Sequence, residues 1–180
     1  MDIVAYCLGI AFLLACAVGV PMLRKLSHER TLKELGMEGL TLVPRLWTLS
    51  GLRIDRPAWN AEVVFEPARP GGGRAGHLRL FANFQPHLVF AAEKAVIRSG
   101  DEEFDRKIAI EGDAAFAKKF LVPEMRERLT RLDQMGGRVQ AIGEGTIEID
   151  GPLLGDPAAL REFLELCGGI VDGTVAAAGG

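Results

Sequence analysis

Residues Asp113–Asp150 read DAAFAKKFLVPEMRERLTRLDQMGGRVQAIGEGTIEID, and the order of elements in them decides the fold class. Asp113 is an N-cap residue ahead of Ala114–Leu121, and Phe116 and Phe120 lie four apart on one face. Pro123 suits a first helical position, and Met125, Leu129 and Leu132 follow at spacings of four and three. Gly136-Gly137 stops that helix. Arg138–Ile142 and Thr146–Asp150 then alternate apolar and polar residues across Gly143-Glu144-Gly145, the pattern of a hairpin. Two helices followed at once by a hairpin break the strand–helix alternation of a parallel α/β fold.

Upstream, the chain reads as strands. Leu40–Val43, Ala61–Glu66, His77–Ala82 and Leu88–Ala92 are short and apolar, and Lys107–Glu111 alternates. Turn clusters separate them at Ser50-Gly51, Arg56-Pro57, Pro67 and Pro70-Gly71-Gly72-Gly73. Downstream, Asp156-Pro157 opens a last helix. Its apolar face is Leu160, Phe163, Leu164, Cys167, Ile170 and Val171, while Gly168, Gly169 and Gly173 weaken it and the tail frays. The expectation is an α+β domain over residues 39–176, an antiparallel sheet with helices packed on one face.

The N-terminus differs in kind. Ile3–Leu23 (IVAYCLGIAFLLACAVGVPML) is 21 residues without a charge. As a helix it spans roughly 32 Å, the thickness of a bilayer's hydrocarbon core. Arg24, Lys25, Arg30 and Lys33 follow it, against Glu29 alone, and only Met1 and Asp2 precede it. Positive flanks stay cytoplasmic. The expectation is a transmembrane anchor over 1–23, a basic juxtamembrane helix or linker over 24–38 ending near Gly36, and a cytoplasmic C-terminal domain. Leu13-Leu14-Ala15-Cys16 keeps a second reading open, an envelope lipoprotein anchored at Cys16. A cleaved signal peptide fits less well, because the run is long and lacks a basic start. Ala11, Ala15 and Gly19 form a small-residue face through which two copies could associate.

Charge divides the rest. Residues 24–98 carry 12 Lys and Arg against 7 Asp and Glu; residues 99–180 carry 9 against 16. The basic half is the membrane-proximal one, which an anionic leaflet attracts. A net charge of −3 argues against nucleic acid as partner.

Chemistry-bearing residues form no recognised constellation. His28, His77 and His87 are far apart, without metal-ligand spacing. Cys7 and Cys16 fall in the apolar run and Cys167 on an apolar helix face, where thiols are ordinarily inert. Pro70–Arg74 has the glycines of a phosphate loop without Gly-Lys-Ser/Thr, and Gly143-x-Gly145 is not a dinucleotide fingerprint. Gly100–Asp105 (GDEEFD) is acidic but lacks a calcium-loop pattern, and reads as a turn with Phe104 in the core. Trp47 and Trp59 read as packing residues. No catalytic, cofactor-binding or metal residue is assigned. The leading expectation is a non-enzymatic interaction or scaffold domain. The alternative is an enzyme or small-ligand sensor whose site is scattered in sequence.

Residues 99–150 carry a resemblance. Ser99-Gly100-Asp101-Glu102-Glu103-Phe104-Asp105-Arg106 leads to a strand, Gly112-Asp113, a short helix and Pro123-Glu124-Met125-Arg126-Glu127-Arg128-Leu129. This resembles the GD-x-x-FD and R-x-x-L pattern of a group of uncharacterised bacterial membrane-anchored proteins, over roughly residues 50–172. The resemblance implies a bacterial protein with a hydrophobic span joined to an α+β domain facing the aqueous side, and turn-and-core roles for Asp101, Phe104 and Asp105; the anchor and its charge flanks make a bacterial inner membrane the expected location. It carries no catalytic residues, and the glycines at 71–73 lie outside its pattern.

Overall fold

The computed structural model describes residues 3–46, 48–68, 76–84, 88–90, 96–143 and 145–179; of residues 3–17, 84, 88–90 and 145 it describes the backbone alone. The domain is α+β. Its elements in chain order are α1 (Ile3–Glu34), β1 (Leu40–Val43), β2 (Gly51–Arg56), β3 (Trp59–Glu66), β4 (His77–Phe84), β5 (Leu88–Phe90), α2 (Glu102–Lys107), β6 (Ile110–Gly112), α3 (Ala114–Phe120), α4 (Pro123–Gln134), β7 (Arg138–Gly143), β8 (Gly145–Pro152) and α5 (Pro157–Gly179).

The strands form one sheet in the order β1-β2-β3-β4-β8-β7-β5-β6. Every named pairing is antiparallel. β1 to β4 run as a meander. The chain then leaves two places vacant, and the C-terminal hairpin β7–β8 fills them. β8 pairs with β4 over its full length, from His77 opposite Pro152 to Phe84 opposite Gly145.

Alternation sets the two faces of the sheet. Leu52 and Ile54, Ala61, Val63 and Phe65, Leu78, Leu80 and Ala82, and Ile147 and Ile149 are buried on one face. α5 lies over this face with Leu160, Phe163, Leu164, Cys167, Ile170 and Val171, the stripe read from the sequence. Trp59, on the same face, donates its indole N–H to Asp172 of α5 at 2.6 Å. Phe116 and Phe120 of α3 stack at 5.6 Å. The opposite face carries Arg53, Glu62, Glu66, His77, Arg79, Glu148 and Asp150, exposed or half-buried, so the helices that cover the sheet do so from one side.

Several expectations are corrected. β2 is a strand that the sequence pattern does not announce, because Ser50-Gly51 and Arg56-Pro57 look like turns; between them Leu52 and Ile54 alternate with Arg53 and Asp55. The GDEEFD stretch is not only a turn. Asp101 accepts from the amides of Glu103 and Phe104 and starts α2, which continues to Lys107. The expected strand over Lys107–Glu111 is therefore shortened to β6, Ile110–Gly112. The tail does not fray at Val175, since α5 runs to Gly179 with Ala177 packed inward. Gly169 and Gly173 are contact positions: a methyl group at either would collide with Arg128 or Met125 of α4. Residues 24–38 are more than a linker, because Leu32 and Leu35 enter the core. Gly36, at φ +59°, ends α1 in the left-handed conformation that its sequence position predicts.

Among the described residues, no helix is long and apolar enough to cross a membrane. The run Ile3–Leu23 is continuous helical backbone within α1, but its side chains through Ala17 lie outside the described residues. Cys7, Cys16, Ala11 and Ala15 share that position, and Trp47, His87 and Pro70–Arg74 lie outside the described residues altogether.

Candidate functional site

Three places gather polar side chains. The first is the junction of α1 with the sheet. Ser50 is fully buried where the β1–β2 connection enters β2. Its hydroxyl donates to Glu29 Oε1 at 2.5 Å, and its carbonyl lies 3.0 Å from His28 Nε2. The His28 ring meets Phe65 edge-on at 4.7 Å. One turn earlier on α1, the Lys25 ammonium donates to the Arg45 carbonyl. A serine, a histidine and a glutamate in contact invite comparison with a nucleophilic triad. The geometry is different. His28 holds the serine's carbonyl, not its hydroxyl, and the hydroxyl is turned to Glu29 inside the protein. These bonds fasten α1 to the sheet.

Burial pushes the His28 pKa below its ordinary 6.5, outweighing the Ser50 hydrogen bond and the Glu29 charge, which raise it. The fold therefore prefers the neutral ring, donating Nε2–H to Ser50. An unfolded chain takes up a proton near pH 6.5, and the folded chain only at lower pH. The contribution of His28 is complete above that value and is lost as pH falls from it toward the folded pKa. His28→Gln keeps an N–H donor and removes the titration. Thermal midpoints measured in detergent from pH 7.5 to 5.5 should fall less steeply in this variant than in the parent. Equal slopes would remove His28 from the account.

The second place is the open face of the sheet. Arg79, central on β4, lies 3.6 Å from Glu66, 4.0 Å from Glu148 and 3.7 Å from Asp150. His77 Nε2 lies 3.1 Å from Glu66. Arg79 Nε and Asp150 Oδ1 are shielded from solvent without a hydrogen bond, so only Coulomb attraction at 3.7 Å joins them. Arg45 pairs with Glu62 nearby. Three carboxylates surround the Arg79 guanidinium, Arg138 on β7 stands opposite Asp150, Arg53 stands opposite Glu62, and Phe81 is exposed beside them, so the face is of mixed charge with carboxylates gathered at its centre.

The third place is the turn before α2. Asp105 accepts from the Ser99 amide at 2.9 Å and from its hydroxyl at 2.7 Å. Burial opposes the charged carboxylate, but these bonds, a Gly100 amide and the Arg98 charge outweigh it and hold the pKa below the ordinary value. Phe104 is buried, as the sequence reading expects. Asp101→Ala removes the cap of α2 and should cost about 1 kcal/mol in denaturant unfolding; a loss below a few tenths would show the cap to be replaceable. A groove of about 590 Å³ runs between α2 and α4. Its Arg126 is already committed, donating to the Leu121 carbonyl at 2.7 Å and lying 3.7 Å from Asp101.

The remaining sequence candidates are dispersed. His28 lies on the covered side of the sheet and His77 on the open side. Cys167 is fully buried and its thiol pKa is pushed far up by desolvation, so it stays protonated. Gly143 and Gly145 form the tight β7–β8 connection. No group of three or more His, Cys, Asp or Glu able to hold a metal occurs among the described residues. Sequence reading missed Ser50, Glu29 and Arg79. Ser50 was seen only as a turn residue, and no local pattern links residues 21 or 71 positions apart. No family model, no curated protein and no solved structure matches the chain.

Proposed function

We propose that the chain is a single-pass membrane protein that presents a non-enzymatic α+β interaction domain at the cytoplasmic surface of a bacterial inner membrane. The observation that carries this reading is the uncharged run Ile3–Leu23 closed by Arg24 and Lys25. Its continuity with a helix fastened into the domain supports rigid presentation, with no free linker between bilayer and sheet. The basic exit favours the cytoplasmic side. The open face around Arg79, where Glu66, Glu148 and Asp150 gather, is the surface on which a protein partner would dock, its basic groups meeting these carboxylates, because complementary charge speeds encounter and fixes orientation.

Protease protection of a C-terminal tag tests the topology. The tag should stay protected until the inner membrane is breached. Cleavage once the outer membrane alone is opened would reverse the topology; the lipoprotein reading at Cys16 would then lead, and the mass of the mature N-terminus would decide it. Pull-down from solubilised membranes tests the partner. Glu66→Lys with Glu148→Lys should lose a partner that the parent chain recovers reproducibly. Equal recovery would remove the open face from the proposal.

A further inference from the structure

We infer that residues 44–46, at the start of the β1–β2 connection, are a second membrane contact, with Leu46 seated at the boundary between headgroups and acyl chains. This rests on the anchor proposed above and adds to it a surface of the folded domain.

The connection is bonded to α1 at two points. At its lower end Ser50 is bonded to His28 and Glu29. At its upper end the Arg45 carbonyl accepts from Lys25, one helical turn closer to the apolar run. Lys25 itself is two residues past Leu23, about 3 Å along the axis from the end of the uncharged segment, and its ammonium also lies 3.9 Å from Glu29. Leu46, the next residue, is 82% exposed.

That exposure is not scattered. Nine large apolar side chains are exposed among the described residues, and six are Val18, Val20, Met22, Leu23, Leu26 and Leu46. Five of the six lie on α1 and the sixth on the loop bonded to it. Arg24 and Lys25 follow the apolar run in sequence, and Arg45 precedes Leu46 and pairs with Glu62. Apolar side chains followed by Lys and Arg suit the interface of an anionic leaflet, where the chains enter and an unpaired cation meets phosphates. A soluble partner would have to cover the same side chains beside the bilayer.

The test uses the full chain in vesicles of phosphatidylethanolamine and phosphatidylglycerol, with and without brominated acyl chains. Cys7 and Cys16 are replaced by Ala; Cys167 is buried and stays. An environment-sensitive fluorophore is attached in turn through Val18→Cys, Leu46→Cys and Ala58→Cys. Ala58 lies in the β2–β3 turn, at the opposite end of β2 from the loop. Leu46 is exposed, so its substitution leaves the core intact.

The expected result is quenching by brominated lipid at 18 and 46, with blue-shifted emission, and neither effect at 58. Quenching at 18 without quenching at 46 overturns the loop contact and leaves the anchor standing. A blue shift at 46 without lipid quenching also overturns it, since protein would then cover the leucine. No quenching at 18 overturns the anchor and the inference together.

Discussion

Phe163→Ala is expected to remove about 3–5 kcal/mol of stability, a large share of a domain total of about 5–15 kcal/mol. Phe163 is fully buried on α5. Its ring fills a notch in the sheet left by two glycines: a methyl group on Gly151 would overlap the ring, and one on Gly137 would meet both the ring and Leu132. Gly137 precedes β7 and Gly151 lies on β8, so a single side chain holds the last helix to the inserted hairpin. Truncation leaves a cavity that close packing cannot fill. The reciprocal change, Gly151→Ala, should cost about 1–3 kcal/mol by overpacking. The two sites touch, so the pair Phe163→Leu with Gly151→Ala should be less damaging than the sum of the single changes. Urea unfolding in detergent measures all of them. A loss below about 1 kcal/mol for Phe163→Ala would refute the notch.

Leu13→Arg with Leu14→Arg is expected to abolish membrane integration. A central arginine costs about 2.5–3.5 kcal/mol on the insertion scale, and each leucine lost forfeits a further few tenths. Two together penalise insertion by about 6 kcal/mol, more than four powers of ten in the equilibrium. α1 contributes Leu32 and Leu35 to the described core, about five turns further along the helix, so the thermal midpoint of the domain should hold. Alkaline carbonate extraction gives the readout: the parent stays with the membrane pellet and the double variant moves to the supernatant. A parent chain that is itself extracted would defeat the anchor. A double variant that remains in the pellet would show that another element holds it there.

How much of this was legible in the sequence varied with the range of the interaction. α3, α4 and the β7–β8 hairpin follow from Asp113, Pro123, Gly136 and the alternation of residues 138–150, because caps, turns and periodicity act over a few residues. α2 was hidden by its brevity, although Asp101, three acidic residues after it and Arg106-Lys107 at its end are a helix signature in miniature. β2 was hidden by turn residues at both ends. The glycines of α5 carried the wrong sign in a local reading. Gly169 and Gly173 weaken an isolated helix, yet they admit Arg128 and Met125 and so let α4 close on α5.

The functional surfaces were less legible. Ser50 gains meaning only when α1 folds back against β2, and Arg79 only when β8 pairs with β4. The carboxylates facing Arg79 come from β3 and β8, and Asp150 is its direct cross-strand neighbour. No spacing rule connects such residues.

By itself the sequence determined the α+β class, the limits of α3 and α4, the hairpin, the apolar faces and the uncharged N-terminal run. Each depends on contacts within a turn or on a period of two or 3.6 residues. Tertiary structure alone decided that the C-terminal hairpin enters between β4 and β5, that α1 is bonded to the sheet through Ser50, and that the Arg45 carbonyl, ahead of exposed Leu46, is held by Lys25. These depend on which distant surfaces bury one another, and burial is a property of the assembled chain, not of any segment.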